Sequence, residues 1–288
     1  MTITIGIDIG GTKIAAATVD RATGSVTDKR VVCTEPERGG MAVLETCVAL
    51  AGLLAQERNV DGVGIGICEI VDDRGELASD VTIKLLGVPL TKSFAGLGPV
   101  VLESDVRAAA RAEAVFGAGR ELETFLYVSI GSGIGACFVQ DGVPLVGKHG
   151  KALIVGVAPS PVEDVASGPA IAAACGLPDG EAVLLAAAEG NTRASRVVQQ
   201  AARSLGETVA CLANLLDPDG IVIGGGLGLA GGAYWEGLTR AIEGGIWRVR
   251  DSDIPAIVTA ELGHDAGVVG AALACGLSSD MPTNDVNP

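Results

Sequence analysis

One carboxylate and one turn near the start of the chain have the composition of a phosphate site. Asp8 interrupts an apolar run at residues 3–9. Gly10-Gly11-Thr12-Lys13 follows, and a second apolar run occupies residues 14–19. Two short apolar runs joined by a Gly-rich turn predict a β-hairpin. Paired glycines let backbone N–H groups come close to an anion and face it. Thr12 adds a hydroxyl, Lys13 a cation, and Asp8 a carboxylate poised for a metal ion. An ordinary hairpin with a Gly-Gly turn accounts for the same residues equally well. A Walker A loop does not, because Lys13 follows Thr12 and no helical pattern comes next. Residues 142–149, GVPLVGKH, have nearly that spacing but end in His rather than Ser or Thr, a chance match.

The elements that must hold this turn follow from the pattern of the chain. Residues 41–59 carry apolar side chains at helical spacing, and residues 60–71 read as a buried strand. A possible third strand lies at 31–34, and 72–98 read as irregular. A short strand at 99–102 runs into Glu103-Ser104-Asp105, and an Ala-rich helix at 106–116 ends at Gly117. The pattern then restarts: strand 124–130, the turn Gly131-Ser132-Gly133-Ile134-Gly135, strand 136–140. A second strand, Gly-rich turn and strand suggests an internally duplicated fold. Helices are expected at 169–175, 181–189, 195–216, 234–243 and 266–277. Strands are expected at 219–223, feeding Gly224-Gly225-Gly226, and at 257–260. The tail after Ser278 reads as frayed.

Bulk properties narrow the function. With 48% hydrophobic and 19% charged residues, 288 residues suffice for two well-packed domains. A net charge of −15 repels nucleic acid and anionic membranes, so neither is an expected partner. An anionic substrate such as ATP then needs local compensation. The seven cysteines are never closer than fourteen positions, which excludes a CxxC pair and suits free thiols in a reducing compartment. The apolar runs fall short of a membrane span and the N-terminus enters a strand directly, so a cytoplasmic protein is expected.

Five motifs in order, IGIDIGGTK at 5–13, Asp105 at a strand-to-helix junction, IGSGIGA at 130–136, IVIGGG at 221–226 and GHDAGVVGAA at 263–272, resemble the ROK family of sugar kinases and regulators. The resemblance covers essentially the whole chain. It implies an α/β protein with the two-domain actin-like (ribonuclease H-like) ATPase fold, ATP and sugar meeting in an interdomain cleft. Residues 1–102 would form a small domain, with 266–288 packing back onto it, and 103–265 a large one. Gly10, Gly11, Thr12 and Lys13 would be the first phosphate loop, and Gly131, Ser132 and Gly133 the second. Gly224, Gly225 and Gly226 would line the adenosine. Asp8 would hold Mg²⁺ through water. Asp105 matches the family's general base, which suits phosphoryl transfer, a reaction of positioning and charge neutralisation. Read alone, without the resemblance, Asp105 is better explained as a helix N-cap. A homodimer is also implied.

The chain departs from the family pattern at the substrate. Where the family carries Glu-x-Gly-His, residues 154–157 are Ile-Val-Gly-Val, and its Cys-rich zinc knuckle is missing, so no structural zinc is expected. Glu163 aligns with a substrate-contacting Glu beyond the knuckle. The Asn before the base is Ser104, counted here with Asp105 as substrate-contacting. Cys68-Glu69 replaces Pro-Gly. Glu69 is either a solvated loop charge or a contact to a substrate hydroxyl or amino group. Lys148 and His149 are loop residues or replacement contacts, and His264 a turn residue. The expected activity is ATP- and Mg²⁺-dependent phosphorylation of a primary hydroxyl on a hexose-like substrate, with Asp105 as base. The alternative acceptor is an amino sugar (kanosamine-like) or a C7-cyclitol. A sugar-responsive repressor and a catalytically inactive sugar binder are the competing readings. The early first loop and negative charge disfavour the former, and the intact loops and carboxylates disfavour the latter.

Overall fold

The computed structural model describes residues 2–56, 58–94, 96–156, 162–250 and 253–277. The chain forms two compact units. The first runs from the N-terminus to Ala112 and includes Val146–Lys151 and the chain from Asp265 onward; the second comprises Glu113–Leu145 and Ala152–His264.

The first unit is built on β1 (Ile3–Ile9), β2 (Lys13–Asp20), β3 (Ser25–Cys33), β4 (Val63–Ile67) and β5 (Val100–Ser104), in the order β3-β2-β1-β4-β5. β1 pairs antiparallel with β2 and parallel with β4, which pairs parallel with β5. All of β4, VGIGI, is buried, as expected for a strand covered on both faces. On one face α1 (Gly40–Ala55) buries Val43, Leu44, Cys47, Leu50, Ala51 and Leu54 in the same core as Ile5, Ile7 and Ile65. Each large apolar side chain so buried contributes about 1.5–3 kcal/mol. On the sheet also rests α8 (Ala266–Leu277), and its approach requires glycine. A Cβ on Gly64 would stand 1.7 Å from the Ala271 carbonyl oxygen, and one on Gly6 1.9 Å from that of Val268.

The second unit repeats the plan. β6 (Thr124–Ile130), β7 (Ile134–Gln140), β8 (Val143–Pro144), β9 (Gly220–Gly224) and β10 (Ala256–Thr259) are ordered β8-β7-β6-β9-β10. β6 is antiparallel to β7 and parallel to β9, as β1 is to β2 and β4. The repeat suggested by the two Gly-rich turns is therefore a repeat of whole sheets. Around this sheet lie α3 (Glu163–Ala166), α4 (Gly168–Cys175), α5 (Gly180–Ala188), α6 (Thr192–Leu216) and α7 (Gly232–Gly245). Asn191 caps α6, accepting from the N–H groups of Arg193 and Ala194, which starts that helix three residues earlier than its apolar pattern.

Three features depart from the sequence reading. β3 extends over Ser25–Cys33, although its residues are mostly exposed or half-buried; pairing with β2 stabilises this polar edge strand without an apolar face. The units divide at Ala112/Glu113, inside α2 (Asp105–Phe116), not at 102/103. β5 is hydrogen-bonded into the first sheet and carries α2 with it, and a Cβ on Gly270 of α8 would meet the Ala108 carbonyl oxygen at 1.7 Å. Glu113, fully buried, turns the other way and accepts the N–H groups of Ala118, Glu261 and Leu262 in the second unit. The short helix α3 went unrecognised. The expected tail after Ser278 and Val157 lie outside the described residues.

Candidate active site

In the first unit the β1–β2 turn is closed by the Gly10 N–H donating to the Lys13 carbonyl at 3.0 Å. Thr34, just past β3, pins it from outside: its hydroxyl donates to the Gly10 carbonyl at 2.6 Å and its N–H to the Thr12 carbonyl at 3.0 Å. Thr12 and Lys13 are exposed and Gly11 half-buried. The sequence marked the turn, but Thr34 carried no signal, because its role depends on β3 pairing beside β2.

Three strands end together next to this turn. β1 delivers Asp8, β4 leads into Cys68, and β5 delivers Asp105. Gly66 of β4 leaves the room the two aspartates share. A Cβ there would lie 3.7 Å from both Asp8 Oδ1 and Asp105 Cα. α8 closes the other side, since a Cβ on Gly267 would stand 2.3 Å from Asp8 Oδ2. Both aspartates are half-buried. Loss of water pushes the Asp8 carboxyl up to about 6 against the pull of Lys29. The Asp105 carboxyl is pushed up to about 7, first by loss of water and then by the charge of Asp8. The Val106 N–H, Arg107 and Ser104 oppose that rise.

Of the two roles that the sequence left open for Asp105, the contacts of its side chain bear on the cap. It opens α2, and its Oδ1 accepts the Val106 N–H at 2.7 Å, a capping contact that fixes the carboxylate. The pKa near 7 is what a general base working at neutral pH needs. Two desolvated carboxylates sharing a space also fit a hard divalent cation, which binds oxygen and tolerates few protein ligands. Among the described residues no three of His, Cys, Asp and Glu converge, so an ion here would take its other ligands from water and phosphate.

Glu69 is neither solvated nor turned outward. It is 6% exposed and both its oxygens serve the loop ahead. Oε2 accepts the Ser79 hydroxyl at 2.5 Å and the Val81 N–H at 2.9 Å; Oε1 accepts the N–H groups of Thr82 at 2.6 Å and Ile83 at 2.8 Å. This corrects the expectation of a solvated charge at Glu69.

A second buried carboxylate, Glu103, was missed: it lies near the end of strand β5, four positions before Arg107 of the Ala-rich helix α2, so no single helical pattern links the two. Arg107 Nε donates to Glu103 Oε1 at 2.6 Å, its Nη2 to the Val71 carbonyl at 2.7 Å, and its Nη1 to the Gly150 carbonyl at 3.4 Å. Arg111 reaches the other Glu103 oxygen at 3.4 Å, and the Ser104 N–H donates to Glu103 Oε1 at 2.9 Å. The clamp fastens residues 146–151 to the helix that begins with Asp105. On that segment Lys148 pairs with Asp73 at 2.8 Å and His149 is exposed. His264 sits in the 3₁₀ turn Gly263–Asp265 before α8.

In the second unit the β6–β7 turn is closed by the Gly131 N–H donating to the Gly133 carbonyl at 2.9 Å, and Gly168, at the start of α4, donates to the Gly131 carbonyl at 2.9 Å. Ser132 and Gly133 are exposed. Glu163, the first residue of α3, lies under this turn. Its Oε2 accepts the Ile134 N–H at 2.6 Å and would stand 2.9 Å from a Cβ on Gly133. Gly224 ends β9, paired with Ser129 of β6, and Gly225 follows it. Gly225 has φ +80, and a Cβ there would meet the Ile130 carbonyl oxygen at 2.4 Å; Gly226 is exposed, with open space at its Cβ. Ile154 is half-buried, and unlike Leu153 and Val155 it is not packed against the core of this unit.

The kinship of the chain agrees with this arrangement. It is 35% identical to the Brucella melitensis bifunctional enzyme NanE/NanK over 93% of its own length, and spans about half (53%) of that relative. It is 30% identical to the N-acetylmannosamine kinase of Escherichia fergusonii, covering 94% of this chain and 97% of that one. A ROK family glucokinase from Streptomyces griseus, solved in complex with glucose and AMPPNP, superposes with a TM-score of 0.82 at 29% identity, over 94% of this chain and 98% of that one. The ROK family model matches residues 4–275, and the chain belongs to the ROK family, with the actin-like ATPase fold of its sugar kinases.

Proposed function

We propose that the protein is an ATP-dependent kinase that phosphorylates a hydroxyl of a sugar or sugar-like ring, with Asp105 as general base. The observation that carries this reading is the placement of Asp105. It is fixed by the Val106 N–H in the first turn of α2, shares a space with Asp8, and has its pKa raised to about 7 by burial and by that neighbour. The Gly10–Lys13 and Gly131–Gly133 turns hold phosphate oxygens, and Gly224–Gly226 the adenosine. Mg²⁺ beside Asp8 would neutralise phosphate charge; the reading requires no zinc. Asp105 accepts the proton of the acceptor hydroxyl as its oxygen bonds to the γ-phosphorus and the bond to the ADP leaving oxygen breaks.

The acceptor is a hexose-like ring phosphorylated on its primary hydroxyl, as glucose and N-acetylmannosamine would be. A half-buried Ile154 outside the core favours a second reading, a ring that offers no hydroxyl there, such as an amino sugar (kanosamine-like) or a C7-cyclitol. ADP release measured with MgATP and each of these acceptors separates the readings. Turnover with at least one acceptor is expected; none with any acceptor, by protein that binds MgATP, contradicts the kinase assignment.

The pH dependence has a definite sign. Asp105 must be ionised to accept a proton, and its pKa is raised to about 7. kcat/KM should therefore rise with pH through an acid limb whose apparent pKa is no higher than about 7, since a bound cation lowers it. A rate that is flat between pH 5 and 8 would remove Asp105 as the base.

A further inference from the structure

Glu69 concentrates on one carboxylate the Ser79 hydroxyl and three successive backbone N–H groups, those of Val81, Thr82 and Ile83. A carboxylate with four donors is a strong, charge-assisted anchor. The loop so held is otherwise irregular; Ile83 is buried in the core of the unit and anchors its far end, whereas Val81 and Thr82 are exposed and bury little apolar surface of their own. Yet one side chain of this loop reaches the phosphate turn: a Cβ on Gly11 would stand 2.9 Å from Thr82 Cγ2. The Thr82 methyl therefore covers the face of Gly11 that a side chain would occupy. Behind the turn, Thr34 fixes the Gly10 and Thr12 carbonyls. The turn is thus braced from two sides, by Thr34 and by Thr82, and only Thr82 depends on a buried charge.

We propose that Glu69 is a positioning residue for nucleotide binding. By fixing the backbone of Val81, Thr82 and Ile83 it presses Thr82 against Gly11 and keeps the first phosphate turn in its anion-binding shape. This rests on the kinase reading, in which the Gly10–Lys13 turn holds ATP phosphates. A turn that is competent only part of the time binds with an affinity reduced by that fraction. Glu69→Gln puts an amide NH₂ among N–H donors and removes the anion while preserving size. Thr82→Ser removes the covering methyl alone, at an exposed position with little bearing on folding.

The test is MgAMPPNP affinity by calorimetry, without any sugar, for wild type, E69Q, T82S and the double variant, with melting temperature alongside. The expected result is a Kd raised about fivefold or more in each single variant, as a competent fraction near one fifth would give. The double variant should be no weaker than the weaker single variant, since both act through one contact. T82S should keep the wild-type melting temperature, which a merely structural role for the loop would not combine with lost affinity. A Kd within twofold of wild type in E69Q, or in T82S should E69Q not fold, overturns the inference, as does additivity in the double variant. Wild-type protein that binds no MgAMPPNP overturns the kinase reading instead, and this inference with it.

Discussion

Replacing Asp105 with Asn lowers turnover on the true acceptor by roughly 10²- to 10⁴-fold, the usual loss when a general base is removed. That equals about 3 to 5 kcal/mol of transition-state stabilisation. Asn keeps the shape and the oxygen that accepts the Val106 N–H, so the start of α2 stays intact. MgATP affinity should be nearly unchanged. Stability should move the other way from activity. The folded-state pKa of Asp105 is raised, from an ordinary 3.8 to about 7. Its contribution is therefore fully favourable below about pH 4 and is lost as pH rises through 7, where the buried group ionises beside Asp8. Asn never ionises. In metal-free buffer the variant should melt at least about 2 °C above wild type at pH 8, and level with it near pH 4. A residue that serves only as a helix cap would change neither rate nor pH dependence, because Asn and Asp cap about equally.

The largest effect on stability is expected from Arg107→Met. Arg107 is 4% exposed, and its guanidinium serves Glu103 and the carbonyls of Val71 and Gly150. Methionine leaves Glu103 buried with Arg111 at 3.4 Å and strips both carbonyls of their donor. Removing one partner of a buried pair costs about 3–5 kcal/mol. That corresponds to a fall in melting temperature of about 6 °C or more. Residues 146–151 should also come loose, so trypsin should cut at Lys148 or Lys151 much faster than in wild type. A variant as stable and as resistant to trypsin as wild type would show that the clamp contributes nothing.

The elements carrying the site were legible where a local pattern carried them. The β1–β2 hairpin, its repeat at β6–β7, and the strand-to-helix junction at Asp105 all rest on apolar periodicity broken by glycine or a carboxylate. What escaped were groups whose roles depend on distant partners. Thr34 pins the first turn because β3 pairs beside it. Arg107 reaches Gly150 across 43 positions. Glu69 looked like a loop charge because its four donors lie ten to fourteen residues ahead. Glu163 follows the same logic under the second turn, held by an N–H 29 positions earlier. The boundary between the units was misplaced because α2 is one continuous helix shared by both, and nothing in its sequence marks Ala112.

The central claim is phosphoryl transfer with Asp105 as base. ³¹P NMR of MgATP with a turned-over acceptor tests it most directly, run in parallel for wild type and Asp105→Asn at pH 8. The account predicts growth of a sugar phosphomonoester matched by loss of the γ-phosphate resonance in wild type, and a rate at least about 10²-fold lower in the variant. Equal rates in the two proteins, or ATP loss that yields only inorganic phosphate, would contradict it.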